Sequence, residues 1–182
     1  MMGMLIKCIY AVIKFNNGEI VNRLLSGDSS KLNINFEEVG GFKFGRKKKK
    51  KKTYIMYEDG TIHNIDVQDY FYIDFFNTEN YISVIFYNEK YFFNGDYFSP
   101  PNNAAIYNID GTLKHQLLLP KEGFWTPDSE GWYIHSTYYA DFPNLKGWGV
   151  MVTNDIKWPD LCFCLYNGTP NLIWTKYSQE RR

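Results

Sequence analysis

The chain has 182 residues, 45% hydrophobic and 22% charged, proportions that fit a folded globular domain and exclude wholesale disorder. Aromatic residues make up 19%, with 15 Tyr, 14 Phe and 5 Trp, a composition that favours pleated sheets and supplies the residue types that anchor interfaces. The formal net charge is zero but unevenly spread. Residues 1–52 hold 12 Lys and Arg against 4 Asp and Glu, whereas residues 53–182 hold 8 against 16. An acidic body repels nucleic acid and attracts basic proteins, so nucleic acid is not expected as a partner, the run Lys47–Lys52 being the one exception.

In chain order, Leu5–Phe15 and Glu19–Leu25 flank Asn16-Asn17-Gly18, the strongest short-range hairpin signal because Asn and Gly tolerate φ > 0. Leu32–Val39 alternates apolar and polar residues and predicts a half-buried strand. Gly40–Lys52 combines loosening glycines with six adjacent like charges and predicts a flexible, solvated, lysine-rich loop at about 45–53. Thr53–Tyr57 and Thr61–Val67 flank Asp59-Gly60, a second hairpin. Tyr70–Phe76 and Tyr81–Tyr87 are aromatic-rich runs, and a short helix is allowed within Asp66–Phe76 or near Asn154–Asp160. Asn94-Gly95 turns, and Ser99-Pro100-Pro101 breaks the pattern, since Pro cannot join a central ladder.

Ala104–Asn108 and Thr112–Leu119 flank Asp110-Gly111, Gly131–Tyr139 and Gly147–Thr153 form a pair, and Leu161–Tyr166 and Leu172–Tyr177 flank Asn167-Gly168. No window sustains a 3.6-residue period. The sequence therefore predicts a mainly β chain: one antiparallel domain over 1–182, a sandwich or curled sheet of hairpins. The echo between Tyr57-Glu58-Asp59-Gly60-Thr61-Ile62 and Tyr107-Asn108-Ile109-Asp110-Gly111-Thr112-Leu113 leaves a small propeller-like arrangement as the alternative.

Motifs for catalysis are absent. The chain has no phosphate loop, dinucleotide fingerprint, His-Glu-x-x-His or Gly-x-Ser-x-Gly. His135 adjoins Ser136, but adjacent strand residues point to opposite faces, which argues against a nucleophile–base pair. His63 and His115 each follow an Asp-Gly turn, and an acid–base pair between them is the one nuclease-like arrangement the sequence allows. Cys8, Cys162 and Cys164 are too few and too oddly spaced for a disulfide framework or a zinc site. No catalytic residue, metal ligand or cofactor is assigned. Reduced thiols, the lack of a convincing signal sequence and the lack of an apolar run near ~20 residues predict a cytoplasmic chain without a membrane span.

Acids set among aromatics remain. Asp66, Asp69 and Asp74 lie around Tyr72, and Asp128 and Glu130 lie between Trp125 and Trp132. Acids raise the rate of encounter with a basic partner and aromatics hold it, so these eight residues are the candidate partner-binding set. The Tyr-Asn-x-Asp-Gly-Thr-Leu turn at Tyr107–Leu113, the compact aromatic β body and its acidic excess resemble the small bacterial immunity proteins of polymorphic toxin and contact-dependent inhibition systems. No family residue is carried over. The resemblance implies a non-enzymatic binding protein that neutralises a cognate, basic toxin by blocking its active site, the toxin being in some cases a nuclease. A carbohydrate- or surface-binding β module using exposed Trp and Tyr is the alternative.

Overall fold

The computed structural model describes residues 6–15, 18–27, 48–66, 72–76, 81–87, 92–120, 131–142, 145–154, 160–165 and 169–179. Within them are twelve strands and no helix: β1 (Ile6–Phe15), β2 (Ile20–Gly27), β3 (Lys48–Tyr57), β4 (Ile62–Ile65), β5 (Tyr72–Phe76), β6 (Tyr81–Ile85), β7 (Ala104–Asn108), β8 (Leu113–Gln116), β9 (Trp132–Phe142), β10 (Leu145–Asn154), β11 (Asp160–Leu165) and β12 (Leu172–Gln179). They form three antiparallel four-stranded sheets and no closed barrel.

The first sheet has the order β2-β1-β3-β4, the middle sheet β5-β6-β7-β8 and the third β12-β11-β10-β9. The second and third are simple meanders, the connectivity of a propeller blade. The first departs from it, because β1 lies between β2 and β3.

Packing follows from the two faces of the middle sheet. Ile82, Val84, Phe86, Ala105 and Tyr107 meet Ile6, Ile9, Ile55, Tyr57 and Ile65 of the first sheet. Ile85, Ala104, Ile106, Leu117 and Leu119 meet Ile134, Val150, Val152, Phe163 and Leu172 of the third. The middle sheet is thus a filling between two others. This is why β6 and β7, apart from buried Ser83 and the terminal Asn108, read as apolar runs rather than as alternating ones. Strands at the sheet edges, such as β4 and β8, are mostly exposed or half-buried.

Two asparagines join the layers. Asn94 accepts from the Asp66 amide through Oδ1 (3.0 Å), donates its own amide to the Asp66 carbonyl (2.8 Å) and donates Nδ2 to the Gly111 carbonyl (2.8 Å). Asn103, wholly buried, donates Nδ2 to the carbonyls of Phe86 (2.7 Å) and Ile134 (3.0 Å), and its Oδ1 accepts from the Ile134 amide (2.7 Å). Its side-chain amide satisfies backbone groups of β9, the edge strand of its sheet among the described residues.

Two sequence expectations are corrected. The lysine run is not a loop over its whole length: Lys48–Lys52 belong to β3 and pair with β1. Backbone hydrogen bonding to β1 carries the strand through the lysines. Tyr72–Phe76 is strand β5, not helix, because it completes the ladder with β6. The Asp-Gly hairpins stand where the sequence places them. Tyr57 N donates to Thr61 O (2.9 Å) and Gly60 N to Tyr57 O (3.0 Å); Asn108, Gly111 and Thr112 repeat the pattern, as do Phe15, Gly18 and Glu19. Of the described turn residues only the glycines have positive φ, the signature of a three-residue loop ending in a G1 bulge. Asn94-Gly95 alone, with both φ positive, is the two-residue type I′ turn. The expected strand Leu32–Val39 and helix near Asn154–Asp160 fall, wholly or mostly, outside the described residues.

Candidate protein-binding surface

The two Asp-Gly-Thr hairpins come together at one end of the first and middle sheets. Tyr57, the last residue of β3, is buried and donates its phenol proton to the Ile109 carbonyl in the β7–β8 turn (2.6 Å). His63 in β4 stacks edge-on to Tyr57, with ring centroids 5.1 Å apart, and its Nδ1 lies 3.5 Å from Tyr57 Oη. The type I′ turn completes the junction, since Asn94 ties Asp66 to Gly111.

Each hairpin aspartate is fixed by its own turn. Asp59 Oδ1 accepts from the Thr61 amide (2.8 Å), and Asp110 Oδ1 accepts from the Thr112 amide (2.9 Å) and Oγ1 (2.6 Å). The Thr61 bonds hold the Asp59 carboxyl below its ordinary range, and the Thr112 bonds do the same for Asp110. Both groups are therefore ionised at neutral pH, rigid and exposed. Burial pushes the Tyr57 phenol up, reinforced by the charges of Asp110 and Asp59, so it stays protonated as a donor. With exposed Glu58 and Asp66, the end presents four acids around one exposed imidazole.

The sequence-selected residues are placed unevenly. Asp66 is exposed at this junction. Tyr72 and Asp74 lie on β5, where Asp74 stands opposite Ser83 in register. Asp69, Trp125, Asp128 and Glu130 lie outside the described residues. Trp132 is corrected. It shares the inward face of β9 with Ile134 and packs in the core against the middle sheet, so its side chain is 9% exposed and offers no surface to a partner. Asp59 and Asp110 were visible in the sequence as turn residues. The repeated Asp-Gly-Thr signalled a shared turn geometry, and only the bond from Tyr57 to Ile109 makes the two turns neighbours.

The histidine readings also change. His115 pairs with Ile106, on the side of the middle sheet facing the third sheet, whereas His63 pairs with Ile55, which faces the middle sheet from the first. The middle sheet separates them, so they form no acid–base pair. His135 sits in a β-bulge of β9: Ile134 pairs with Val152 and Ser136 with Met151, leaving His135 as the extra residue. Strict alternation therefore does not apply to His135 and Ser136. The imidazole lies near the rings of Tyr87 and Tyr133, both 6.3 Å away, and among the described residues no hydrogen bond joins it to Ser136.

On the outer face of the third sheet, Cys162 and Cys164 are buried free thiols beside Tyr138, whose hydroxyl donates to the Phe163 carbonyl (3.3 Å). Among the described residues no group of three or more His, Cys, Asp or Glu is arranged to hold a metal, and no helix is long and apolar enough to cross a membrane. No protein-family model, curated protein or solved structure matches the chain.

Proposed function

We propose that this chain is a protein-binding module that engages a basic partner through the paired hairpin end of its first and middle sheets. The observation carrying the reading is the bond from Tyr57 Oη to the Ile109 carbonyl, which locks the two Asp-Gly-Thr turns side by side. Rigid, pre-ionised carboxylates on hairpin tips lose little freedom on binding and steer a cationic surface inward. The narrower reading is an immunity protein that covers the active site or substrate groove of a cognate toxin in the cytoplasm. Three free thiols agree with a reducing compartment.

The test is co-expression with a basic toxin domain encoded beside the chain, scored by growth rescue and by affinity across a salt series. Glu58→Gln, Asp59→Asn and Asp110→Asn together slow association about tenfold at low salt and flatten the salt dependence. A triple variant that binds and protects like the parent, with an unchanged Tm, removes this surface from the reading.

One observation favours the carbohydrate- or surface-binding alternative. Tyr139 is 59% exposed and packs edge-on to Trp148 at 5.6 Å, beyond the last β11 pairing at Gly149. Under that reading Tyr139→Ala abolishes binding to immobilised glycans and leaves binding to the toxin intact.

A further inference from the structure

Three sulfur-bearing side chains meet on the outer face of the third sheet. Val150, Val152, Leu161 and Phe163 point inward to the core, so Met151, Cys162 and Cys164, which alternate with them, point outward. The register sets Met151 directly opposite Cys162, and Gly149, which has no side chain, opposite Cys164. Opposed residues on one face stand ~5 Å apart and alternate residues of a strand ~6.6 Å, so the three side chains border one spot. Tyr138 closes the side that Gly149 leaves open. Its ring lies over that glycine, 2.8 Å from where an added methyl would stand, and its hydroxyl reaches the Cys162 thiol. Both cysteines are free and keep 5% of their surface in solvent, an opening for a bare ion and not for a bulky reagent.

The spacing is too wide for a disulfide, which needs Cβ atoms ~3.5–4.5 Å apart. A metal ion between the sulfurs, with bonds of ~2.3 Å, needs a gap of about 4.6 Å, which the two thiols span by leaning together. The surroundings also favour thiolates. Burial pushes both thiols up, but the Tyr138 hydroxyl acts on Cys162 in the opposite sense, and the backbone amides of Cys164 and Ile173 do so on Cys164. A thiol kept for packing alone has no use for these donors, whereas a metal-bound thiolate carries residual charge that they hold and orient. The neighbouring strand is reshaped at the same place. Leu161 pairs with Ser178 and Phe163 with Trp174, so Thr175, Lys176 and Tyr177 stand against Cys162 alone. Lys176 takes a φ of 67°, and Thr175 Oγ1 donates to the Cys162 carbonyl (2.7 Å). Bulges recur beside functional sites, where they re-aim side chains.

We propose that Cys162, Cys164 and Met151 form a binding site for one Cu(I) ion, two thiolates holding it and the thioether completing the set. Soft sulfur donors select Cu(I), which accepts two or three of them, whereas structural Zn(II) takes four ligands. Among the described residues no His, Asp or Glu joins the two cysteines as a ligand group, and Asp160, two residues before Cys162, is held by Thr153 Oγ1 (2.6 Å). Each thiol releases its proton to solvent as its sulfur binds the metal, and no electron changes hands. The site stands on the third sheet and the acidic hairpins on the first and middle sheets, so it does not depend on the protein-binding reading.

The full chain, reduced and anaerobic, is titrated with Cu(I) held by a chromogenic chelator and, separately, with Zn(II), while X-ray absorption reads the neighbours of the bound copper. One Cu(I) per chain leaves the chelator, its shell is sulfur alone, and an ion at about a hundredfold above Kd raises Tm by roughly 5–10 °C. Cys162→Ala and Cys164→Ala each lower the affinity more than ~100-fold, and Met151→Leu, alike in volume, lowers it about tenfold. Tyr138→Phe fills the same space without the hydroxyl and also lowers it about tenfold. Cys8→Ala, on the first sheet, leaves stoichiometry and affinity as they are. The absorption spectrum of the parent stands whether or not a variant folds. The proposal is overturned by a parent that leaves the chelator its copper, by a shell of nitrogen or oxygen, by uptake that survives loss of either Cys162 or Cys164, by Met151→Leu binding like the parent, or by an equal rise in Tm with Zn(II).

Discussion

Replacing Asn103 with Ala tests whether one side chain couples the middle sheet to the third. The residue is wholly buried, and its amide group makes three hydrogen bonds of 2.7–3.0 Å to Phe86 and Ile134. The Asn103 main-chain carbonyl still accepts from the Phe86 amide in the variant, so the loss is confined to the side chain. Each buried bond is worth about 1 kcal/mol net, and the orphaned amide of Ile134 and carbonyls of Ile134 and Phe86 keep their desolvation cost. The expected loss is about 3 kcal/mol, a fall in Tm of roughly 6–12 °C for a chain of this size. Urea unfolding followed by tryptophan fluorescence measures it, with an unchanged m-value as the control. Asn103→Asp is the sharper variant, because it sets a carboxylate oxygen where Nδ2 faced two carbonyls. Its folded pKa is raised, so stability relative to the parent falls as pH rises above the unfolded value of ~3.9. A loss below 1 kcal/mol for Asn103→Ala refutes the coupling.

Three further outcomes are expected. Gly149→Ala sets a methyl against the Phe163 carbonyl oxygen and 2.8 Å from the Tyr138 ring, lowering stability by about 1–3 kcal/mol; Tyr138→Ala does not rescue it, because the backbone carbonyl remains. The Asp59 and Asp110 carboxyls are depressed below their ordinary value of 3.8, so their contribution is complete above that pH and lost as pH falls through the lower folded values. A thermal series below pH 4 shows the step in the parent and not in the Asp59→Asn/Asp110→Asn variant, since Asn keeps the acceptor oxygen without titrating. Burial pushes the thiols of Cys8, Cys162 and Cys164 up, so an aromatic disulfide reagent at pH 8 leaves the native protein untouched and titrates all three in urea. Rapid reaction of the folded protein would contradict the packing.

Legibility followed the range of the interaction that decides each feature. Hairpins are set by residues a few positions apart, and the turns at Gly18, Gly60, Asn94-Gly95 and Gly111 stand where the sequence put them. Which face of a strand is covered depends on residues far away, and there the reading failed. Trp132 was expected on the surface because nothing near it in sequence says that β9 lays Ile134 against Ile85 and Ile106. The bulge at His135 breaks the alternation assumed for it, and alternation cannot announce its own interruption. The lysine run was expected as a loop from its charge and the glycines before it, whereas backbone pairing with β1 decided the outcome. The partnership of Asp59 with Asp110 rests on Tyr57 reaching Ile109, 52 positions away, which no local pattern encodes.

The double coverage of β6 and β7 bears on how the molecule comes into being. One side of these strands is completed by residues from before position 66 and the other by residues from after position 131. A nascent chain that has emerged only as far as β8 holds Ile85, Ala104 and Ile106 bare to water, and release of that tension waits for the last four strands. The slowest-exchanging amides should accordingly cluster on β6 and β7, protected by the arrival of both flanks, and a nascent chain halted before β9 should be the species that chaperones hold and proteases cut.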